Sequence, residues 1–193
     1  NHRLWAKHWM YEDSARVPLL LCGTDEQKMS GRVGHHRVDD RLVGLRDVMP
    51  TLLDLADVPI PAHCQGKSMV GPVQHDHLFG AFGPCKDAQT GNPTRMIRDA
   101  RFKLVYYPAG NLVQLFDIHS DRQELHDLAG QREFADPLAR LSRLLIEALP
   151  EDERQAWVTD GRLTGWADAK LYAPRPNVSF SGQRGVQWPT PGT

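Results

Sequence analysis

The chain has 193 residues, 40% of them hydrophobic and 24% charged, proportions that exclude a largely disordered, collagen-like or disulfide-dense polypeptide. Lys and Arg number 23 against 24 Asp and Glu, a net charge of −1, so there is no general attraction to nucleic acid or to an acidic membrane surface. The longest apolar run, Val17 to Cys22, is far short of the ~18–20 residues a membrane-spanning helix needs.

The chain opens Asn1-His2-Arg3-Leu4-Trp5, with no initiator Met, charged n-region or apolar h-region. No signal peptide is legible, the expectation is a piece of a longer polypeptide, and localisation stays open. Cys22, Cys64 and Cys85 are an odd number with no metal-type spacing; they read as incidental or buried thiols.

Val17 to Cys22, ending at Gly23, reads as a strand buried on both faces, as in the parallel sheet of an α/β protein. A polar, Gly-containing loop follows from Thr24 to Arg37. Asp47 is placed to cap a helix over about 48–57, with Pro50 in its first turn and Met49, Leu52, Leu53 and Ala56 on one face. Pro59 to Pro72 reads as an ordered crossing loop.

His77–Phe82, Thr94–Arg98, Phe102–Tyr107 and Leu112–Asp117 are short β-rich runs, the last three separated by Asp99-Ala100-Arg101 and Pro108-Ala109-Gly110-Asn111. They predict a small antiparallel meander. Asp136 and Pro137 are a helix start, and Leu138, Leu141, Leu145 and Ala148 form the stripe that packs on the meander. A shorter helix is expected over Glu151–Val158. The last twenty residues hold Pro174, Pro176, Pro189 and Pro191 yet keep Val178, Phe180, Val186 and Trp188, which predicts an extended arm pinned to the surface.

The opening string Leu4-Trp5-Ala6-Lys7-His8-Trp9-Met10-Tyr11-Glu12-Asp13-Ser14-Ala15-Arg16-Val17-Pro18-Leu19 resembles the G-K-x-x-x-Y-E-x-S-x-R-V-P-L segment of type I sulfatases. Later stretches agree in order. Asp47 to Ala56 resembles the family's D-x-x-P-T-L-L-x-L-A helix, and Gly66-Lys67-Ser68 its G-x-S-L turn. Arg101 to Tyr107 resembles the R-Y-K-Y-I strand, and Leu115 to Ala129 the L-Y-D-L-x-x-D-P-x-E-x-x-N-L-A exit. The resemblance runs from about residue 4 to 150. It implies the C-terminal part of an alkaline-phosphatase-like α/β fold, with a small α+β subdomain of about four antiparallel strands and a packed helix. The expected division is 1–72 for the catalytic-domain remnant, 73–172 for the subdomain and 173–193 for the arm.

The resemblance makes Lys7 the catalytic residue. Cleaving a sulfate monoester builds negative charge on the leaving oxygen, and a fixed ammonium stabilises that charge more in the transition state than in the ground state. His2 matches the family's G-D-H-G at the His only, with Asn1 and Arg3 on either side; His2 and His8 are substrate-rim candidates, and a structural role for each stands beside that. Tyr11, Glu12 and Arg16 read as architectural, Glu12 and Arg16 being spaced to pair on a helical turn. His35, His36, Asp39 and Asp40 show no metal-ligand spacing. His75 and His77 fall on one face before a strand; a structural role is the leading reading, with substrate contact the alternative. Arg95 and Arg98 read as a surface face near the cleft.

The family's nucleophile is a formylglycine made within C/S-x-P-x-R, and no Cys or Ser here is followed by that pattern. The family's Ca2+ ligands lie further upstream than the six residues before Lys7 allow. The implied protein is therefore a fragment of a sulfuric ester hydrolase whose parent uses Ca2+, while this stretch alone is inactive and holds no metal. Its substrate is a small sulfate ester, whether aryl, sugar or choline-type, with the loop Gly83–Pro93 as the specificity candidate. The arm offers a contact for a homo-oligomer. Two other readings stand beside this one: a phosphate or phosphonate monoester hydrolase of the same superfamily, and a non-catalytic interaction module.

Overall fold

In a computed structural model of the chain, the structure describes residues 9–26, 31–33, 38–72, 75–83 and 93–169. The elements in chain order are α1 (Glu12–Ala15), α2 (Val48–Leu55), β1 (Leu78–Phe82), β2 (Thr94–Arg98), β3 (Phe102–Tyr107), β4 (Leu112–Asp117), α3 (Ala135–Ala148), α4 (Glu151–Trp157), β5 (Val158–Thr159) and β6 (Arg162–Leu163). Single 3-10 turns, Leu45–Asp47 and Arg132–Phe134, lead into α2 and α3.

β1 to β4 form the antiparallel meander in sequence order. The register puts Gly80 opposite Met96, Arg98 opposite Lys103, and Lys103 opposite Phe116. The turns are chemically determined. Asp99 Oδ1 accepts the N–H groups of Arg101 (2.8 Å) and Phe102 (2.6 Å), which turns β2 into β3. Gly110 and Asn111 take positive φ between β3 and β4, where Asn111 Oδ1 also accepts the Tyr106 hydroxyl at 3.1 Å.

Both faces of the meander are covered. On one, Ile97, Leu104, Tyr106 and Leu115 pack against Leu141, Leu145 and Leu149, with Trp157 from α4 closing the cluster. On the other, Val105, Tyr107, Phe116 and Ile118 are covered by Trp9, Met10 and Tyr11 from the start of the chain. A strand buried on both sides carries an unbroken apolar run, which is why β3 reads Leu104-Val105-Tyr106-Tyr107 without polar alternation. The expected stripe of α3 does face the sheet: Leu141 and Leu145 are fully buried, and Leu138 and Ala148 pack beside them.

Four local expectations are corrected. Val17 to Cys22 forms no strand, and Leu20 is 86% exposed. A parallel strand exists only where neighbours complete its ladder, and none of the described strands pairs with this segment. Asp47 holds the N-cap position of α2, but its side chain makes no capping hydrogen bond there; its Oδ2 accepts the N–H of Gly44 at 2.8 Å, behind the helix. The buried side of α2 is Pro50 and Thr51, while Met49 and Leu52 are exposed. Asp136 lies inside α3, because the 3-10 turn already starts the helix at Ala135. The arm 173–193, His35, His36, Cys85 and most of the Gly83–Pro93 loop lie outside the described residues.

Candidate functional site

Lys7, His2 and His8 lie outside the described residues; the described part of their motif begins at Trp9. From there the chain is bound tightly to the sheet. The Trp9 ring stands 5.6 Å from that of Tyr107, and Tyr11 meets Phe116 edge-on at 5.9 Å. The Tyr11 hydroxyl donates to Gln114 Oε1 at 2.9 Å. Gly80 leaves room for this segment: a Cβ there would stand 2.9 Å from Met96 Cε and 3.5 Å from Met10 Sδ. Burial pushes the hydroxyl pKa of Tyr107 far above its ordinary value, so the covering layer is uncharged there.

Next to that layer, on the same side of the sheet, lies a largely buried ionic quartet. Glu12 Oε1 and Oε2 accept Arg98 Nη1 at 2.9 and 2.8 Å, and Oε1 also accepts Lys103 Nζ at 3.1 Å. Lys103 Nζ stands 2.8 Å from Glu124 Oε1. Glu124 Oε2 in turn accepts the backbone N–H of Glu12 at 2.5 Å. Lys103 is fully buried and Glu124 nearly so. Two carboxylates and two cations leave the cluster neutral, which is what makes burying it tolerable. Burial pushes the Glu124 carboxyl above its ordinary value, with Lys103 opposing. Glu12 and Arg16 share the helical turn, Arg16 N–H donating to Glu12 O at 2.8 Å, but the Glu12 carboxylate turns to Arg98 and Lys103. Arg98 is correspondingly not part of a surface face.

A second polar junction unites two of the motif stretches with His75. Asp47 Oδ1 accepts Lys67 N–H and His75 Nε2, each at 2.8 Å. Thr51 Oγ1 accepts Met69 N–H at 2.9 Å, and Ser68 Oγ donates to Asp54 Oδ2. Gly66 is required because a Cβ would lie 1.9 Å from the Arg46 carbonyl oxygen. The D-x-x-P-T helix and the G-x-S turn are thus one docking interaction. Burial pushes the Asp47 carboxyl up, yet the hydrogen bonds from Lys67, His75 and Gly44 outweigh it and hold the group below its ordinary value. His75 is committed to Asp47, while His77 lines an open cleft of about 460 Å³ with Arg46, Gln65, Phe79, Leu149 and Pro150. The two histidines therefore do not act together.

Arg95 is buried as well. Its Nε donates to Glu153 Oε2 at 2.7 Å and its Nη2 to Glu153 Oε1, fixing α4 to β2. Among the described residues, no three His, Cys, Asp or Glu side chains converge on a point that could hold a metal ion. The described residues thus offer no cradle for the Ca2+ that the resemblance implies for the parent. Lys103 and Glu124 stand in two of the motif stretches, and the sequence assigns neither a role. The available signal was a lysine amid Phe102, Leu104 and Val105, on the side of β3 shared with Val105 and Tyr107.

The described site is a platform: a neutral ionic lock beside an aromatic layer, together holding the segment from Trp9 to Glu12. A family model described as N-sulphoglucosamine sulphohydrolase, C-terminal, matches residues 1–151. An arylsulfatase of Clostridium perfringens is 29% identical over 167 residues, covering 83% of this chain and 33% of that protein. Arylsulfatase K of Xenopus laevis is 33% identical over 144 residues, covering 68% of this chain and 26% of that protein. A solved 2-O GAG sulfatase superposes with a TM-score of 0.52 at 28% identity, over 56% of this chain and 26% of that one. The chain spans a third or less of the length of these relatives. With its meander, packed helix and motif order all in place, the chain belongs to the N-sulphoglucosamine sulphohydrolase C-terminal family, within the alkaline-phosphatase-like sulfatases.

Proposed function

We propose that this chain is the C-terminal part of a sulfatase that hydrolyses small sulfate monoesters, with Lys7 as its contribution to catalysis and His2 and His8 at the substrate rim. In this reading the nucleophile and the Ca2+ ligands belong to a preceding catalytic portion. Lys7 acts on the sulfate: its ammonium stabilises the charge on the non-bridging and leaving oxygens, most of all as the S–O bond breaks. The observation that supports this reading is the fixation of Trp9 to Glu12 on the meander. A lysine that must meet one charge at one place benefits from a chain held rigidly two residues later.

The test is kinetic, in the protein extended by its upstream sequence and assayed with an aryl sulfate alongside the matching aryl phosphate. Lys7→Ala lowers kcat/KM on the sulfate by about 10²–10³, the loss expected for one charge-assisted contact to developing negative charge. Lys7→Arg restores part of it, a planar fork replacing a compact point charge. The 193-residue chain alone gives no turnover. A preference for the phosphate ester, or indifference to Lys7→Ala, overturns the proposal.

A further inference from the structure

We infer that the buried quartet of Glu12, Arg98, Lys103 and Glu124 is a positioning device for Lys7, setting the place from which that ammonium reaches the sulfate. The inference rests on the role given to Lys7 above. Three of the four members belong to the meander and the loop after it; Glu12 alone belongs to the segment that Lys7 leads into.

Apolar cover from Trp9, Met10 and Tyr11 is enough to keep that segment on the sheet. Apart from the Tyr11 hydroxyl bond to Gln114, that cover is non-directional and does not by itself fix the backbone at Glu12. The quartet supplies direction. Glu12 is held at its own amide by Glu124, and at its carboxylate by Arg98 on one side and Lys103 on the other. Backbone and side chain of one residue are thereby both fixed. Two of the partners stand on paired strands: Arg98 faces Lys103 across the β2–β3 ladder, and Lys103 faces Phe116 across β3–β4. Burying such a set stabilises a fold no better than apolar side chains of the same volume, and its best-attested use is to specify register. A lysine whose charge must meet a transition state is sensitive to register on the scale of about 1 Å.

The test uses Lys103→Met/Glu124→Gln, which removes one cation and one anion, leaves Glu12 with Arg98, and keeps the volumes close. In the 193-residue chain, hydrogen exchange of the amides from Glu12 to Arg16 is expected to rise while those of β2 to β4 stay protected. In the extended protein, kcat on an aryl sulfate is expected to fall about 10–100-fold at unchanged KM. Placed on top of Lys7→Ala, the double substitution adds no further loss, because it acts only through Lys7.

Unaltered exchange of the segment, unaltered kcat, or a full second loss in the Lys7→Ala background overturns the inference while leaving Lys7 catalytic. A Lys7→Ala protein with normal kcat overturns both. If the double variant loses protection in β2 to β4 as well, Glu124→Gln alone, which keeps an acceptor for the Glu12 amide, takes its place under the same criteria.

Discussion

His75 Nε2 lies 2.8 Å from Asp47 Oδ1, and His75 Nδ1 lies 3.2 Å from Arg46 Nη2. A guanidinium only donates, so Nδ1 accepts and the proton sits on Nε2, directed at the carboxylate. One imidazole ring thus joins the segment before β1 to the entrance of α2, and Asp47 gathers it with the amides of Gly44 and Lys67.

That arrangement predicts an acid limb to stability. Asp47 and Asp117 are both held below the ordinary carboxyl value, each because hydrogen bonds outweigh burial; Arg101 and the amides of Ser120 and His119 do this for Asp117. A depressed carboxyl supplies stability above its unfolded pKa of about 3.9 and loses it as pH falls through the folded value. Asp47→Asn is expected to cost about 2 kcal/mol at pH 7 and to flatten the limb below about pH 4. Urea unfolding across a pH series measures this, and curves that stay parallel would refute it.

Glu124 has the opposite sign. Its carboxyl is raised by burial, so the stability linked to it is complete below its unfolded pKa of about 4.3 and is lost as pH rises through the folded value. Glu124→Gln removes that decline. The variant-minus-parent difference in unfolding free energy should therefore rise with pH from about 4.3 upward. A difference independent of pH sinks the assignment.

Gly66→Ala tests the docking of the G-x-S turn. The new methyl would stand 1.9 Å from the Arg46 carbonyl oxygen and 3.0 Å from Pro50 Cγ. Backbone cannot yield as a flexible side chain does, so the turn must move away and give up the bonds of Lys67 and Met69 to Asp47 and Thr51. A loss of about 2–4 kcal/mol is expected, with faster hydrogen exchange at residues 67–69. Unchanged stability would mean that the close approach is not needed.

β2, β3 and β4 begin and end where their turn residues place them, because strand length and turn chemistry are local properties. The stripe of α3 was legible for the same reason. What pattern reading missed depends on partners distant in sequence. Val17 to Cys22 has strand composition but no ladder among the described residues. Glu12 sits four residues before Arg16, yet its carboxylate binds groups 86 and 91 positions away. The motif resemblance carried more than periodicity here, since several of its fixed letters (Glu12, Asp47, Gly66, Lys103, Glu124) are the contacts that join distant segments. Lys7 itself, its two histidines and the Gly83–Pro93 loop were read from resemblance and position alone.

Arg95 gives the sharpest test of a residue misread as surface. All five of its N–H groups are used: Nε and one Nη2 hydrogen go to Glu153, Nη1 donates to the carbonyls of Phe82 (2.8 Å) and Thr94 (2.9 Å), and Nη2 also reaches Gly83 O at 3.1 Å. Its guanidinium carbon lies 5.1 Å from the centre of the Trp157 ring. Arg95→Met leaves the buried Glu153 carboxylate unpaired and is expected to cost about 3–5 kcal/mol. Arg95→Lys should not rescue it, since three donors on a flexible stem cannot replace a planar fork of five. Arg95→Met/Glu153→Leu removes both charges and should recover much of the loss, giving a large coupling energy in a double-mutant cycle. Denaturant unfolding of the four proteins decides the matter. If Arg95→Lys matches the parent, or the double variant is as unstable as the sum of the singles, the pair does not hold α4 to the meander.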